Sequence, residues 1–356
     1  MIYRPYPRHH HRIRSTLLGH RCSPALGSGR RMQAHTQQES AEAQRRAEIE
    51  QELSLARDIQ QGLLLEAVPR LPGWEISAIS LPAHDLGGDL YDFLPLGENI
   101  HGLMIGDVSG KGLPAALRMA VARTVFRHEA RRDLSPKETL SDVNRGVLTE
   151  IPQGMITMLY ARLDIRQGLV SLANAGHNYP VFINGSVREL EISGLPLGVD
   201  MESEYEEQVA SIEPGETFFL YTDGVIEASD HADELFGYER LDQLLQAYTN
   251  RRPRAVMAAV LQELRTWQNG QQADDITMVV IRRRLRNIQD EFQVISSDVL
   301  GPERTEQLWA QHRHMDSVEQ WAEALPGLIR EVQNNYGRGL ARELNAQLRL
   351  TLDDYR

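Results

Sequence analysis

Four short segments in the middle of the chain each place an aspartate at the end of an apolar run. They contain Asp89, Asp107, Asp223, and the adjacent pair Asp274 and Asp275. A carboxylate buried at a strand end is costly unless it is paired, hydrogen-bonded or bound to a metal ion. Four such segments therefore predict a fold that brings separate strand ends together into one carboxylate cluster. Hard divalent cations are the usual partners of such a cluster.

Each of these segments is a weak signal when it is taken alone, since Asp-Gly is a common turn sequence. The segment 106–112 contains glycines and Lys111, but it lacks the spacing of a phosphate-binding P-loop and the Ser or Thr after the lysine. Ligation by oxygen atoms alone favours magnesium or manganese over zinc. The combination of the four segments, in this order, is the informative feature.

Alternating and continuous apolar runs predict that residues 67–284 form one α+β domain. Strands are expected at 74–81, 90–94, 100–108, 155–163, 169–173, 179–183, 205–212, 217–222 and 276–281, and helices at 113–131, 136–150, 238–248 and 254–267. Ser135 and Glu138 form a capping-box pattern with proline at the first helical position, which marks the start of the second of these helices. Because strands outnumber helices and the helices cluster, antiparallel sheets covered by helices are favoured over regular βαβ alternation.

The two ends of the chain differ from this domain. Residues 1–38 carry seven arginines and no acid, which predicts a disordered basic tail, and a targeting peptide or a start at Met32 are the alternatives. Residues 39–66 are rich in helix formers and predict a linker helix. Its apolar stripe suits either packing on its own domain or dimerisation, and it consists of Ile49, Leu53, Ala56, Gln60 and Leu63. Residues 285–356 predict amphipathic helices, with Pro326 expected to kink or restart one of them.

Composition excludes several classes of function. The chain has one cysteine, Cys22, so no intramolecular disulfide can form. A formal net charge of −12 argues against nucleic acid as the main partner. No apolar run approaches the roughly 18 residues that a membrane span requires, so we expect a soluble, cytoplasmic protein.

The ordered motifs of residues 50–284 resemble those of the SpoIIE/RsbU-type bacterial serine phosphatases, a branch of the metal-dependent type-2C (PPM) protein phosphatases. The matching segments are Ala56-Arg57-Asp58-Ile59-Gln60, Pro82-Ala83, Gly87-Gly88-Asp89-Leu90-Tyr91-Asp92, Asp107-Val108-Ser109-Gly110-Lys111-Gly112 with Pro114-Ala115-Ala116, Asn174-Ala175-Gly176-His177-Asn178, Gly194-Leu195-Pro196-Leu197-Gly198, the run from Leu220 to Ala228, Phe236-Gly237, and Asp274-Asp275-Ile276-Thr277. The tail and residues 285–356 lie outside the resemblance.

This resemblance implies a four-layer α-β-β-α sandwich with two manganese or magnesium ions at one end. It implies that Asp107 bridges the ions, that the carbonyl of Val108 joins one of them, and that Asp223 and Asp274 bind the second. Asp89 corresponds to a further acid of the family. Asp275 remains the alternative to Asp274, because sequence alone cannot separate adjacent carboxylates.

The activity implied by the resemblance is hydrolysis of phosphoserine or phosphothreonine by metal-activated water. The implied substrate is a phosphorylated anti-anti-sigma (STAS-domain) protein in a bacterial partner-switching pathway. The sequence has Ser109 where the eukaryotic relatives have a histidine, which leaves the general acid open. A catalytically weak signalling module and a hydrolase of small phosphoesters are the alternative functions.

Several features keep two interpretations. Lys111 either attracts the phosphate of the substrate or is an ordinary solvated lysine of a loop. The segment 227–237 is either a mobile flap near the metal ions or an ordinary charged loop. His177 is expected to make structural hydrogen bonds rather than act as an acid. We expect a homodimer through the linker helix. We also expect the C-terminal helices to be a partner-binding or autoregulatory appendage, with a regulatory protein acting there or at the linker helix.

Overall fold

The fold is described from a computed structural model, which covers residues 28–65, 67–151, 153–268, 270, 272–310, 312, 315 and 317–355, with side chains from residue 40 onward. The chain divides into a unit that ends at Glu52 and a unit that begins at Leu53. Residues 1–27, which make up most of the predicted basic tail, lie outside the described residues.

Helix α1 spans Ser28–Leu63 and begins well before residue 39, where the sequence placed its start. The predicted boundary is corrected for a physical reason. Residues 28–38 contain arginine, methionine, alanine and glutamine, which are good helix formers, so the absence of acids there does not interrupt the helix. Within the second unit, Leu53 and Leu63 are half-buried and Gln60 is buried. This part of the predicted stripe therefore packs on its own domain.

Two five-stranded antiparallel sheets form the centre of the second unit. In spatial order the first sheet contains β1 (Trp74–Leu81), β10 (Ile276–Arg283), β9 (Thr217–Tyr221), β6 (Val181–Ile183) and β7 (Val187–Glu189). The second contains β2 (Leu90–Pro95), β3 (Ile100–Val108), β4 (Ile156–Asp164), β5 (Leu169–Ala175) and β8 (Glu207–Ser211).

Helices cover the outer face of each sheet, which gives the predicted α-β-β-α order of layers. Helices α2 (Leu113–Ala130) and α3 (Pro136–Glu150) share a buried core with the second sheet. Helices α4 (Gly237–Ala247) and α5 (Pro253–Trp267) share another core with the first sheet. A third core fills the space between the sheets. The α+β sandwich expected from the sequence is therefore confirmed.

Strand β3 shows how the sequence pattern produces these layers. Met104 contributes to the core under α2 and α3, whereas Leu103 and Ile105 contribute to the core between the sheets. Successive side chains of a strand point to opposite faces, so a strand buried on both sides requires a continuous apolar run. The predicted capping box is also present, because the Ser135 side chain accepts from the Glu138 backbone and the Glu138 carboxylate accepts from the Ser135 backbone.

The C-terminal helices form a core of their own. They are α6 (Ile288–Leu300), α7 (Pro302–Trp309), α8 (Val318–Tyr336) and α9 (Arg338–Asp354). The rings of Phe292, Trp309 and Trp321 meet at its centre. The amphipathic faces seen in the sequence are thus buried mainly against each other.

Helix α8 continues through Pro326, so the predicted restart at this proline is wrong. Proline inside a helix removes one hydrogen bond and costs about 3 kcal/mol. Buried side chains on both sides of Pro326, including Trp321, Leu325 and Leu328, outweigh this cost because each contributes about 1.5–3 kcal/mol of burial.

A buried ion pair joins the C-terminal helices to the first sheet. Nη1 of Arg282 on β10 donates to both carboxylate oxygens of Glu291 on α6, at 2.9 and 3.0 Å. Arg284 adds a third bond to Glu291 at 3.0 Å. Burial alone would raise the pKa of Glu291, but the charges of Arg282 and Arg284 and their hydrogen bonds outweigh burial and lower it. These helices are therefore attached at a defined position.

No helix in the described part of the chain combines the length and the apolar character that a membrane crossing needs.

Candidate metal centre

The four aspartate segments meet at one end of the two sheets. In the second sheet, the first residue of β2 pairs with the last part of β3, since Leu90 lies opposite Gly106. In the first sheet, the end of β9 pairs with the start of β10, since Tyr221 lies opposite Met278. Antiparallel pairing therefore places the residues before β2 beside the end of β3, and the residues before β10 beside those after β9. A hydrogen bond between Thr222 and Asp89 shows that the two sheets meet at this same end. This is the convergence that the sequence predicted.

Asp89 lies in the loop before β2 and is buried. Thr222 Oγ1 donates a hydrogen bond to its Oδ2 at 2.7 Å. The same Thr222 oxygen accepts a bond from the backbone N–H of Thr277 at 2.9 Å. Thr222 thus connects Asp89, in the loop before β2 of the second sheet, to the start of β10 in the first sheet.

Asp107 and Val108 end strand β3, and Gly88 packs closely against both of them. A Cβ atom on residue 88 would lie 2.7 Å from the Val108 carbonyl oxygen and 3.3 Å from Asp107 Oδ1. Any side chain at position 88 would therefore collide with the Val108 carbonyl oxygen. Glycine at this position lets the loop before β2 come close to the end of β3 and to the oxygens of Asp107 and Val108.

Asp275 holds the loop that carries Gly88 and Asp89. Its Oδ1 accepts from the backbone N–H of Ala83 at 2.7 Å, and its Oδ2 accepts from Gly88 at 2.6 Å. Gly87 and Gly224 pack closely around Asp275, because a Cβ on either would lie within 2.5 Å of its atoms. The oxygens of Asp275 are thus occupied by backbone donors.

Asp274 has a different environment from its neighbour. Its side chain is 36% exposed, and its Oδ2 lies 2.9 Å from Nζ of Lys111. Lys111 also donates to the carbonyl of Ala273 at 2.7 Å. Lys111 therefore has an ion-pair partner beside the carboxylate cluster, and its attraction of phosphate stays a prediction.

The carboxylates raise one another's pKa values. Burial, followed by the charge of Asp107, raises the pKa of Asp89 well above its usual value. Burial, followed by the charges of Asp223 and Asp274, raises the pKa of Asp107. Burial, followed by Glu227 and then Asp274, raises the pKa of Asp223 to about 6. The cluster thus carries more negative charge than the surrounding cations offset.

This donor set fits hard divalent cations that keep much of their water. Among the described residues, no three acidic, histidine or cysteine side chains lie close enough to hold one ion unaided. Magnesium is commonly bound through one or two carboxylates and retains several waters, and manganese also prefers carboxylate, carbonyl and water oxygens. Asp107, Asp223 and Asp274, together with the Val108 carbonyl, provide such oxygens at this end of the two sheets.

The structure also identifies residues at the site to which no role in it was assigned from the sequence. Gln60 of α1 donates from Nε2 to the carbonyl of Gly87 at 2.6 Å and accepts from the Gly87 N–H at 3.3 Å. The signals for Gln60 were a polar residue at a position of the apolar stripe and its place in the matching segment 56–60. Ser109 Oγ accepts from the backbone N–H of Met155 at 3.0 Å and so holds the neighbouring loop. Thr222 gave no distinct signal.

Two members of the sequence motifs are structural rather than part of the centre. Asp92 is fully buried and accepts two hydrogen bonds from Arg127. His177 is buried, and its Nδ1 lies 2.9 Å from Thr157 Oγ1. Burial lowers the pKa of His177 to about 4, so the ring is neutral near pH 7. The expectation of a structural histidine agrees with this environment.

The segment 227–237 contains a folded turn. Asp230 Oδ1 accepts from the backbone N–H groups of Ala232 and Glu234, and Ser229 pairs with Leu235. Phe236 donates to the carbonyl of Ala228 and closes the turn.

Comparison with known proteins identifies similar sequences. Residues 98–284 match the family model described as Stage II sporulation protein E (SpoIIE). The chain is 31% identical over 244 residues to the phosphoserine phosphatase RsbU of Bacillus subtilis (strain 168), an alignment that covers 67% of this chain and 72% of RsbU.

Solved structures show the same fold. The SiaA-PP2C domain of Pseudomonas aeruginosa matches with a TM-score of 0.61 and 23% identity, over 67% of this chain and 98% of that domain. The RsbU and RsbW domains of a Mycobacterium tuberculosis protein match with a TM-score of 0.53 and 28% identity, over 62% of this chain and 64% of that one.

Proposed function

The chain belongs to the SpoIIE family of serine/threonine protein phosphatases with the PP2C fold, and we propose that it uses two divalent cations to hydrolyse phosphoserine or phosphothreonine on a partner protein. The observation that carries this proposal is the convergence of Asp89, Asp107, Asp223 and Asp274 at one end of the sandwich, with raised pKa values at the three most buried of them.

We assign Asp107 to a position between the two cations and the carbonyl of Val108 to one of them. Asp223 and Asp274 are assigned to the second cation. When bound, the cations supply the positive charge that activates water and offsets charge on the phosphoryl oxygens. Asp89, held by Thr222, keeps a further carboxylate beside Asp107.

We propose that Asp275 holds the loop and that Asp274, rather than Asp275, is the cation ligand. Both of its oxygens accept from backbone N–H groups. Asp274 can reach a cation if it gives up the ion pair with Lys111, which lies at an exposed position. Exposed ion pairs contribute about 0–1 kcal/mol, so the exchange costs little.

The proposed substrate is a phosphorylated STAS-domain anti-anti-sigma protein. Similarity to a phosphoserine phosphatase named RsbU supports a role in partner switching. The test is phosphate release from a phosphorylated STAS protein by the purified chain with manganese. Release that falls in Asp107→Ala and Asp223→Ala supports the proposal. No release, or release unaffected by both substitutions, contradicts it.

We also propose that the chain forms a homodimer through α1. Leu55 and Ile59 are exposed on this helix at a spacing of four residues, which places them on one face. Light scattering at micromolar concentration tests this idea, with Leu55→Glu as the disrupting variant and Asp58→Ala as the control. A monomeric mass for the unaltered chain contradicts it.

The C-terminal helices are proposed to be an autoregulatory or partner-binding appendage. Deleting residues 285–356 is a poor test, because it would leave Arg282 buried without Glu291. Substitutions on the exposed face of α9, such as Arg342→Glu with Glu343→Arg, preserve the core. Unchanged activity, mass and partner binding in this variant and in similar ones along α8 would contradict the proposal.

A further inference from the structure

A cavity of about 520 Å³ opens beside the proposed metal centre. Asp223 belongs to both, since it lines the cavity and lies among the clustered carboxylates. The motif segment 174–178 forms part of the wall. A phosphoprotein whose phosphate lies at the carboxylate cluster therefore brings the residues next to its phosphoserine to this cavity.

The wall of the cavity is acidic. Glu189 of β7 and Glu227 of the turn after Asp223 both line it, and none of its described lining residues is a lysine or arginine. Neither glutamate forms an ion pair with another described residue. Burial, followed by the nearby charges of Asp242 and Glu191, raises the pKa of Glu189. Negative charge at this wall is therefore not offset from within the described chain.

Aromatic and imidazole groups complete the wall. Tyr179 and Tyr238 line the cavity, and the Tyr238 side chain is exposed. Tyrosine faces attract guanidinium and ammonium groups, and carboxylates bind them through charge-assisted hydrogen bonds. His177 also lines the cavity. Its buried Nε2 makes no hydrogen bond of ordinary geometry, although the backbone of Tyr221 is near enough to affect its pKa.

We propose that this cavity is a substrate subsite that receives an arginine or lysine side chain lying within a few residues of the phosphoserine. The inference rests on the proposed phosphatase function, since the phosphate has to lie at the carboxylate cluster. Glu189 and Glu227 bind the cationic end of the side chain, and the tyrosines contact its faces. The subsite selects among phosphoserine sequences and takes no part in the hydrolysis itself.

The test uses phosphoserine peptides and the full chain loaded with manganese. One arginine is moved through each of the three positions before and after the phosphoserine, and each peptide is paired with its citrulline counterpart, which has the same shape but no charge. At one or two positions, kcat/KM is expected to be about tenfold higher for arginine than for citrulline. Glutamate at that position is expected to lower kcat/KM below the citrulline value.

Variants then locate the preference. Glu189→Gln and Glu227→Gln are expected to bring the arginine-to-citrulline ratio toward one, and Glu189→Lys to invert the preference toward glutamate. Glu206→Gln removes an exposed charge outside the cavity and is expected to leave the ratio unchanged. The inference is overturned if the ratio for the unaltered chain is near one at every position, or if Glu206→Gln changes it as much as Glu189→Gln.

Hydrolysis of p-nitrophenyl phosphate by the unaltered chain separates this inference from the proposed function. Hydrolysis of the aryl phosphate with no dependence on peptide charge overturns the subsite alone. Manganese-dependent release from neither the aryl phosphate nor any peptide overturns the proposed function and the subsite with it. The peptide series needs no substitution, so the test remains decisive if a variant does not fold.

Discussion

Gln60 on helix α1 makes two hydrogen bonds with the backbone of Gly87, one through its side-chain nitrogen at 2.6 Å and one through its side-chain oxygen at 3.3 Å. Gly87 precedes Gly88, which borders the oxygens of Asp107 and Val108. The end of α1 is therefore bonded directly to the loop that shapes the proposed metal centre.

Replacing Gln60 should loosen this loop. Gln60→Ala removes two buried hydrogen bonds worth about 1 kcal/mol each, so we expect activity to fall several-fold and more manganese to be needed for half-maximal rate. Rates measured across a manganese titration check this. Gln61→Ala is the matched control, since Gln61 is exposed. Equal behaviour of the two variants would contradict a special role for Gln60.

The adjacent aspartates should fail in different ways. Asp275→Ala leaves the N–H groups of Ala83 and Gly88 without acceptors, so the free energy of unfolding should fall by about 2–4 kcal/mol. Asp274→Ala should change it by less than about 1 kcal/mol, because its ion pair is partly exposed. Urea unfolding measures both.

Manganese calorimetry completes this comparison. Asp274→Ala should weaken binding by at least the roughly tenfold that the loss of a ligand's outer-shell partner costs, because here a ligand itself is lost. Asp275→Asn, which keeps one accepting oxygen, should bind manganese more tightly than Asp274→Ala. If Asp274→Ala bound manganese more tightly than Asp275→Asn, Asp275 would be the cation ligand and Asp274 would be the residue that holds the loop.

Raised pKa values predict how pH affects the metal-free protein. The folded pKa of Asp223, about 6, lies above the ordinary value of 3.8. This group therefore favours folding below about pH 3.8, and that contribution is lost as the pH rises through 6. Asp223→Asn should raise the melting temperature of the metal-free protein at pH 7.5 by roughly 2 °C, and the gain should shrink at pH 5.

Manganese provides the second half of that experiment. Manganese should raise the melting temperature of the unaltered chain at pH 7.5 by more than it raises the melting temperature of Asp223→Asn. If the rise in melting temperature of metal-free Asp223→Asn were the same at pH 5 and at pH 7.5, the charge of the carboxylate would not be its cause.

The buried pair between Arg282 and Glu291 should govern the attachment of the C-terminal helices. Glu291→Gln leaves Arg282 without a counter-charge and should cost about 3–5 kcal/mol. Because the pKa of Glu291 is lowered, its contribution is present above about pH 4.5 and lost as the pH falls through the lower folded value. Chemical unfolding at pH 7 and pH 4 measures it, with the exposed Glu303→Gln as control. Equal losses in both variants would contradict this account.

The layers of the fold could be predicted because they depend on local patterns. Continuous apolar runs such as the one in β3 indicate a strand buried on both faces, and the capping box at Ser135 marks a helix start. Strand β7 was missed because Val187–Glu189 is too short to show a period. The length of α1 was underestimated because residues 28–38, which contain no acid, were assigned to the basic tail.

The positions of the site aspartates could be predicted, whereas their environments could not. The adjacent residues Asp274 and Asp275 look alike in sequence, and their partners Lys111 and Ala83 are more than 150 residues away in the chain. The bond between Gln60 and Gly87 and the pair between Arg282 and Glu291 likewise depend on how separate elements pack. Such contacts leave only indirect signals in a single sequence.

The most direct test of the account is phosphate release from a phosphoserine protein or peptide while manganese is titrated, for the unaltered chain and for Asp107→Asn. We expect a saturable dependence on manganese, loss of activity with a chelator, and a rate in Asp107→Asn lower by about a hundredfold or more. Phosphate release that persists in chelator and is unchanged by Asp107→Asn would contradict the account.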